Sequence, residues 1–430
     1  MKSIIKALVC AAALTGSIQA PALEKIIVLD EGTWQSDNGR LTYFENGAIV
    51  SNQWFRDVNG TKLGDTPCDI IQINDNLLAI SVNTPNIIQF ITPEGKSVGV
   101  TEDVPNNRFM ASDGKYVYVT SYAHECNTAS GLMTFEKGFV AKIDVSDFKV
   151  TDAVEVGYEP EGLALYGGHL FVANSGGYAF QENHDYESTV SVIDAATMKV
   201  TRTVDTGHIN LLNMSKSDRF VCINSAGDYY NVEPCTVVMD CAAVLAGKPD
   251  ADCFTTVDAA STYSCKASDG GFYLMGSTYS YVSGETVINL NTVNPSEVIA
   301  TSGKEGVGSV LPGTVKTDID KMTAPYCIYV NPYTGYIYAT DAGSYTSAGT
   351  LYQWTPDGKL SWTFKTYINP AHILALPPDG HFDGTEDVEA EVTRPVDHRI
   401  FNLQGIKISD PRPGEIYISG GKKIIYNTEF

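Results

Sequence analysis

From Glu159 to Gly207 the chain passes through four strand-like runs in close succession: EGLALYG, HLFVANSGGY, STVSVIDA and MKVTRTVDTG. Each run is rich in β-branched and aromatic residues, alternates in part, and is bounded by Gly, Asn or Asp, which is the mark of short antiparallel strands. Four such strands make one small twisted sheet. It has two faces and cannot bury both alone, so it needs neighbours of its own kind on either side. A four-stranded unit repeated in this way specifies a β-propeller.

The rest of the chain falls onto this template. Lys25 to Asn46 supplies IIVLDEG and LTYF, with Trp34 between them. Further units start near Pro67 (DIIQI, LLAISVN, IIQFIT, SVGV) and Asn106 (RFMAS, YVYVTSY, FVAKIDV, KVTDAVEVG), ahead of the template itself. Others start at His208 (LLNMS, RFVCINS, TVVMD and a divergent Cys-rich tail) and Ala260 (YSCKAS, FYLMGS, TVINL, EVIAT), and the last runs from Thr323 to Thr366. One strand is left over, HILAL at His372–Leu376, and the first unit lacks its own first strand. HILAL can fill that place and close a ring of seven blades from both chain ends, leaving no open edge. The expected fold class is therefore all-β, a seven-bladed β-propeller over residues 23–376.

Composition agrees. The 430 residues include 24 tyrosines and 38 glycines, and no long amphipathic helical pattern interrupts them. With 29 basic and 51 acidic residues the net charge is −22, which repels phosphate backbones and anionic membrane surfaces and so disfavours nucleic-acid partners. The opening MKSIIKALVCAAALTGSIQAPA reads as a signal peptide over residues 1–22, with two lysines, a short apolar run and a small-residue site at Ala20-Pro21-Ala22. The apolar run is too short for a membrane span. Cys10 raises the alternative of a lipoprotein, but Val9 before it makes a poor lipidation signal. The chain is thus read as an exported monomer.

Nine cysteines less Cys10 leave eight, an even number that permits disulfides in an oxidising compartment. Cys68, Cys265 and Cys327 sit early in first strands and read as small buried hydrophobes, whereas Cys235, Cys241 and Cys253 are the better disulfide candidates. No CxxC is present, so a zinc or thioredoxin-type site is not expected.

An aromatic follows the second strand of six units: Trp34, Tyr122, Tyr178, Tyr229, Tyr279 and Tyr345. In a four-stranded meander the loops after strands two and four emerge on one face, so these rings would surround one mouth of the central channel. Rigid rings at a concave mouth offer stacking for a flat or bulky ligand. Trp34, Tyr178, Tyr229, Tyr279 and Tyr345 are the ligand-binding candidates, with Tyr122, Asn174 and Asn224 beside them; for any one of them, packing of its loop is the plainer role.

The seven histidines show no metal spacing. His208 and His372 both precede first strands and could reach a ligand or metal on that face, although a surface or turn position is the plainer reading. Glu182, Asp185 and Glu187 form an acidic loop without an EF-hand pattern, better read as solvated than as a calcium site. No GxSxG, HExxH, Walker or dinucleotide motif occurs in a fitting context, and nothing nominates a nucleophile with its base. Neither a catalytic residue, a metal nor a cofactor is expected.

After Leu376 the composition turns polar and acidic, a linker over 377–395, before RIFNLQG, PGEIYI and GKKII form a small β unit over 396–430. That unit resembles the C-terminal sorting domain of type IX secretion in Bacteroidetes, which implies delivery to the cell surface or medium. The runs DEGTWQSDNGRLTYF, VNGTKLGDTPCDI and NPYTGYIYATDAGSYTSAGTLYQWTPDGKL, with the template blade, resemble the YncE-like (YVTN-type) seven-bladed propellers of Bacteroidetes. Among these the chain looks most like the BtuG-type surface propellers. The resemblance implies capture of a corrinoid such as cobalamin and its transfer to a TonB-dependent transporter. Two departures stand out: the weak lipidation signal and the appended C-terminal unit. A scaffold for protein or glycan, and a lactonase-like or quinoprotein-like propeller enzyme, are the alternatives.

Overall fold

A computed structural model describes residues 24–123, 136–179, 184–279 and 286–382, together with the short strands Ile400–Phe401, Lys407–Ile408, Ile416–Ser419 and Lys422–Ile425. The signal peptide expected over 1–22 and most of the acidic linker lie outside the described residues. No described helix is long and apolar enough to cross a membrane.

Seven four-stranded antiparallel sheets form the ring, and an eighth small sheet gathers the four C-terminal strands. Six blades are simple meanders in chain order. The first joins both ends of the ring: Pro370–Leu376 is its innermost strand and pairs antiparallel with Lys25–Asp30, from Lys25 opposite Leu376 to Leu29 opposite His372. The closing strand read from HILAL takes the expected place and begins two residues earlier.

Seven apolar clusters fill the ring, one between each pair of neighbouring blades. The strand KIIVLD shows how. Ile26 and Val28 pack with Tyr338 and Leu351 of blade seven, while Ile27 and Leu29 pack with Leu78 and Ile80 of blade two. Both faces of the blade are covered, so the strand is continuously buried instead of alternating. The inner strands also come close together. A Cβ on Gly162 would lie 2.5 Å from the Met214 nitrogen of the next blade, so only glycine fits there.

Two segments differ from expectation. EVIAT in blade six is not a strand but part of a helix, Pro295–Thr301. Asn294 caps it by accepting from the Glu297 N–H, Pro295 starts the first turn, and Ser302 ends it in the left-handed conformation. The outermost strand of that blade is only Val307–Gly308. In blade five the Cys-rich tail is a helix at Cys241–Leu245, capped by Asp240, followed by the strand Phe254–Val257. Cys235 and Cys253 are buried there as free thiols, as are Cys68, Cys222, Cys265 and Cys327, and Cys241 is buried beside them, so no disulfide joins the expected candidates among the described residues. Cys241 and Cys253 pack within the apolar cluster between blades four and five.

Candidate functional site

The channel wall is made by the innermost strands, and their first residues share a backbone device. Thr66, Asn106, Glu159, Asn210 and Asn369, each immediately before an inner strand, adopt positive φ between 40° and 60°. Such values are uncommon for residues with a side chain and tend to persist at ligand and active sites. Directly after the start, the register slips in six of the seven inner strands, between Pro67 and Asp69, Asn107 and Met110, Pro160 and Leu163, Leu211 and Met214, Pro325 and Cys327, and Pro370 and His372. A bulge re-aims the residues within it. Cys68, Arg108, Phe109, Asn213, Tyr326 and Ala371 are bulge residues, and all of them line a cavity of about 240 Å³ at this end of the channel.

Arg108 is the cation lining the cavity. Its Nε donates to Oε2 of Glu161 at 3.1 Å, and its Nη1 reaches the Cys68 sulfur at 3.4 Å. The other Glu161 oxygen accepts from the Tyr122 hydroxyl, whose ring centroid is 5.2 Å from the guanidinium carbon. These contacts hold Arg108 charged, well above its ordinary value, against the cost of burial. Across the cavity the Tyr326 hydroxyl donates to Oε2 of Glu31 at 2.7 Å. Burial raises the Glu31 carboxyl, partly offset by that bond and by Arg108. Deeper in the channel, the Tyr263 hydroxyl and His372 Nδ1 lie 3.1 Å apart, with Asp69 Oδ1 3.7 Å from the same nitrogen. Burial, then Arg108, pushes His372 down to about 3, and burial lifts Asp69 to about 7 against bonds from the Met110 and Ile70 N–H groups.

The sequence-derived residues divide by exposure. Trp34, Tyr229 and Tyr345 stand on the loops after second strands and are 61%, 57% and 48% exposed. Tyr345 also lines the cavity and meets Tyr326 edge-on at 5.8 Å. Tyr178 is half-buried, edge-on to Tyr122 at 5.3 Å. Tyr122 itself is buried against Glu161 and Arg108. Asn174 and Asn224 are buried inside their blades: Asn174 accepts from the Gly157 N–H and donates to Thr189 and Ser191, and Asn224 donates to Ser261. The Tyr279 side chain lies outside the described residues.

His208 does not reach the channel, since its ring nitrogens face Cys235 at 3.3 Å and Thr256 at 2.8 Å within blade five. His372 is no surface residue, with its side chain 12% exposed inside the channel. Of the acidic loop, Glu187 accepts from the Tyr158 N–H and the Thr189 hydroxyl, and Glu182 lies outside the described residues. No group of three potential metal ligands exists among the described residues.

Arg108, Glu161, Glu31, Tyr263 and Tyr326 escaped the sequence reading. A signal for the mouth was present: four inner strands open with proline, at Thr66-Pro67, Glu159-Pro160, Ala324-Pro325 and Asn369-Pro370. Proline is tolerated at the first residue of a strand, so aligning these dipeptides brings Cys68, Glu161, Tyr326 and Ala371 into one ring.

The far end of the channel is wider, about 690 Å³, with Lys216, Lys266, Tyr329 and Tyr333 in its wall. The chain leaving the ring borders it: Phe382 lines the opening, and Asp75 accepts from its N–H at 2.6 Å and contacts His381 at 3.0 Å.

No protein-family model matches the sequence, and no curated protein does. Solved structures do resemble it. A Bacteroides uniformis protein provisionally described as a 6-phosphogluconolactonase superposes with a TM-score of 0.53 at 12% identity, covering 83% of this chain and 100% of that one. A counterpart from Bacteroides fragilis gives 0.52 at 10% identity over 83% and 99%. A quinoprotein alcohol dehydrogenase-like protein of Bacteroides thetaiotaomicron gives 0.50 at 13% over 82% and 78%. The chain is a seven-bladed β-propeller. At such identities the likeness extends to the fold alone, since function resides in sites built on a fold.

Proposed function

We propose that this propeller is an exported binding protein that captures a small organic ligand at the mouth bordered by Glu31, Arg108 and Tyr345. The observation that carries this reading is the combination of a cavity of about 240 Å³ with exposed aromatics on the loops of the same face, Trp34, Tyr229 and Tyr345. Exposed rings at a concave mouth offer stacking surface to a ligand, and pre-formed rings lose little entropy on binding. Two groups at the mouth do not serve a nucleophilic mechanism: burial pushes the Cys68 thiol up to about 12 and His372 down to about 3, so near pH 7 Cys68 offers no thiolate and His372 no effective base.

The resemblance to BtuG-type propellers supports a corrinoid as the ligand, with surface delivery and transfer to a TonB-dependent transporter. Ligand pockets for drug-sized molecules span about 300–1,000 Å³. A corrin macrocycle would therefore lie across the mouth on the exposed rings, not within it. Calorimetric titration of the protein with cobalamin and cobinamide tests this reading. Tight binding that is lost in a Trp34→Ala, Tyr229→Ala variant supports it, and the absence of heat with both ligands overturns it.

A further inference from the structure

The cavity beneath the rim has a chemistry of its own, separate from the exposed rings and sharing only Tyr345 with them. Arg108 has committed its Nε to Glu161, but Nη1 finds only a thiol sulfur, a weak acceptor, at 3.4 Å. The guanidinium edge therefore keeps donor capacity at the cavity wall. Glu31 accepts the Tyr326 hydroxyl on Oε2, and a carboxylate offers about four lone-pair sites, so acceptor capacity remains beside it. A donor fork and a carboxylate thus line one small space. An anionic ligand would meet Glu31, and a cationic one would meet Arg108.

We propose that this cavity binds one neutral sugar ring, whose hydroxyls bridge Arg108 and Glu31. A hydroxyl both donates and accepts, so neighbouring hydroxyls on one ring satisfy both groups without adding charge. The volume, about 240 Å³, is below that of pockets for drug-sized ligands and suits a single ring. Tyr326 and Tyr345 meet edge-on at 5.8 Å and form an aromatic corner for the C–H face of the sugar, while Asn213 and Thr262 add polar contacts.

The test is ligand-observed NMR and calorimetry on the whole protein with methyl α-D-glucopyranoside, methyl β-D-galactopyranoside and methyl α-D-mannopyranoside, set against D-glucuronate and D-glucosamine. At least one neutral glycoside is expected to bind, and both charged sugars about tenfold or more weaker. Arg108→Lys, which keeps the charge but loses the fork, and Glu31→Gln, which keeps an acceptor for Tyr326, are each expected to weaken the neutral sugar by about tenfold with the melting temperature monitored. If Arg108→Lys fails to fold, Glu31→Gln decides alone. Binding by none of the three glycosides, equal or tighter binding of a charged sugar, or a Glu31→Gln variant that binds unchanged overturns the proposal. Corrinoid titration of the same samples reads the rim separately: Trp34→Ala, Tyr229→Ala should abolish it while leaving the sugar bound.

Discussion

Tyr326 donates its hydroxyl proton to Oε2 of Glu31 across 2.7 Å, linking the innermost strand of blade seven to the loop that leaves the Lys25–Asp30 strand of blade one. One bond therefore both spans the place where the chain ends meet and fixes a carboxylate at the channel mouth. Tyr326→Phe should leave the half-buried Glu31 carboxyl without this donor, at a cost of about 1 kcal/mol. The sign with pH follows from the raised Glu31 carboxyl. A folded-state value above the unfolded one means stability is lost as pH rises, and removing Tyr326 raises it further. Urea unfolding should show a larger deficit for the variant at pH 8 than at pH 5; an equal deficit at both would rule this out.

The ring was legible because its signals are local. Strands bounded by Gly, Asn and Asp recur at blade spacing, and the missing first strand is answered by HILAL. EVIAT was misread because Val298 and Ile299 resemble a strand fragment, whereas the preceding Asn294-Pro295 and Glu297 start a helix. The channel site was much less legible. Arg108, Glu161 and Tyr326 are ordinary residues in sequence, and only a bulge set by pairing with the next strand re-aims them. The aromatic after the second strand was visible, but its environment was not: Tyr122 is drawn inward by Glu161, while Trp34 stays exposed.

The exposed rim supports a second prediction. Trp34 and Tyr229 are 61% and 57% exposed, so replacing both with alanine should change stability by no more than about 0.5 kcal/mol each. Tyr122→Phe should behave oppositely: it removes a buried donor to Glu161 and should cost about 1–3 kcal/mol. Thermal melts of the two variants side by side check this. A rim variant that melts as early as the Tyr122 variant would make Trp34 and Tyr229 structural.

Asp30 yields a prediction about pH. Burial lifts its carboxyl to about 7, against bonds from Thr42 and the Tyr367 N–H. Its unfolded value is near 3.8, so the stability associated with the protonated form is complete below that pH and is lost as pH rises through about 7. Asparagine matches the protonated shape, with its oxygen accepting from Tyr367 and its amide donating to Thr42. Asp30→Asn should therefore melt close to wild type at pH 4 and above it at pH 8, by an amount bounded at about 4 kcal/mol. A variant less stable than wild type at pH 8 would contradict this.

The closing strand supports the last prediction. Ile373 and Ala375 pack into the seam between blades seven and one, while Ala371 and Leu376 pack into the seam between blades one and two. Ending the chain at Asn369 would remove all four and expose the backbone edge of Lys25–Asp30, which now pairs with Pro370–Leu376. An exposed, apolar edge strand recruits other chains. The truncated protein should therefore lose its cooperative unfolding transition and self-associate in size-exclusion chromatography. Because truncation also removes everything beyond the ring, Ile373→Ala provides the sharper measurement. Ile373 is 6% exposed, and its truncation should cost about 2–5 kcal/mol while keeping the backbone pairing that closes the ring. A monomeric Ile373→Ala variant with a lowered but still cooperative transition, beside an aggregating truncation, would separate the packing role of this strand from its role in covering an edge. If the truncated chain instead stays monomeric and unfolds cooperatively, closure by Pro370–Leu376 contributes far less than the pairing and packing imply.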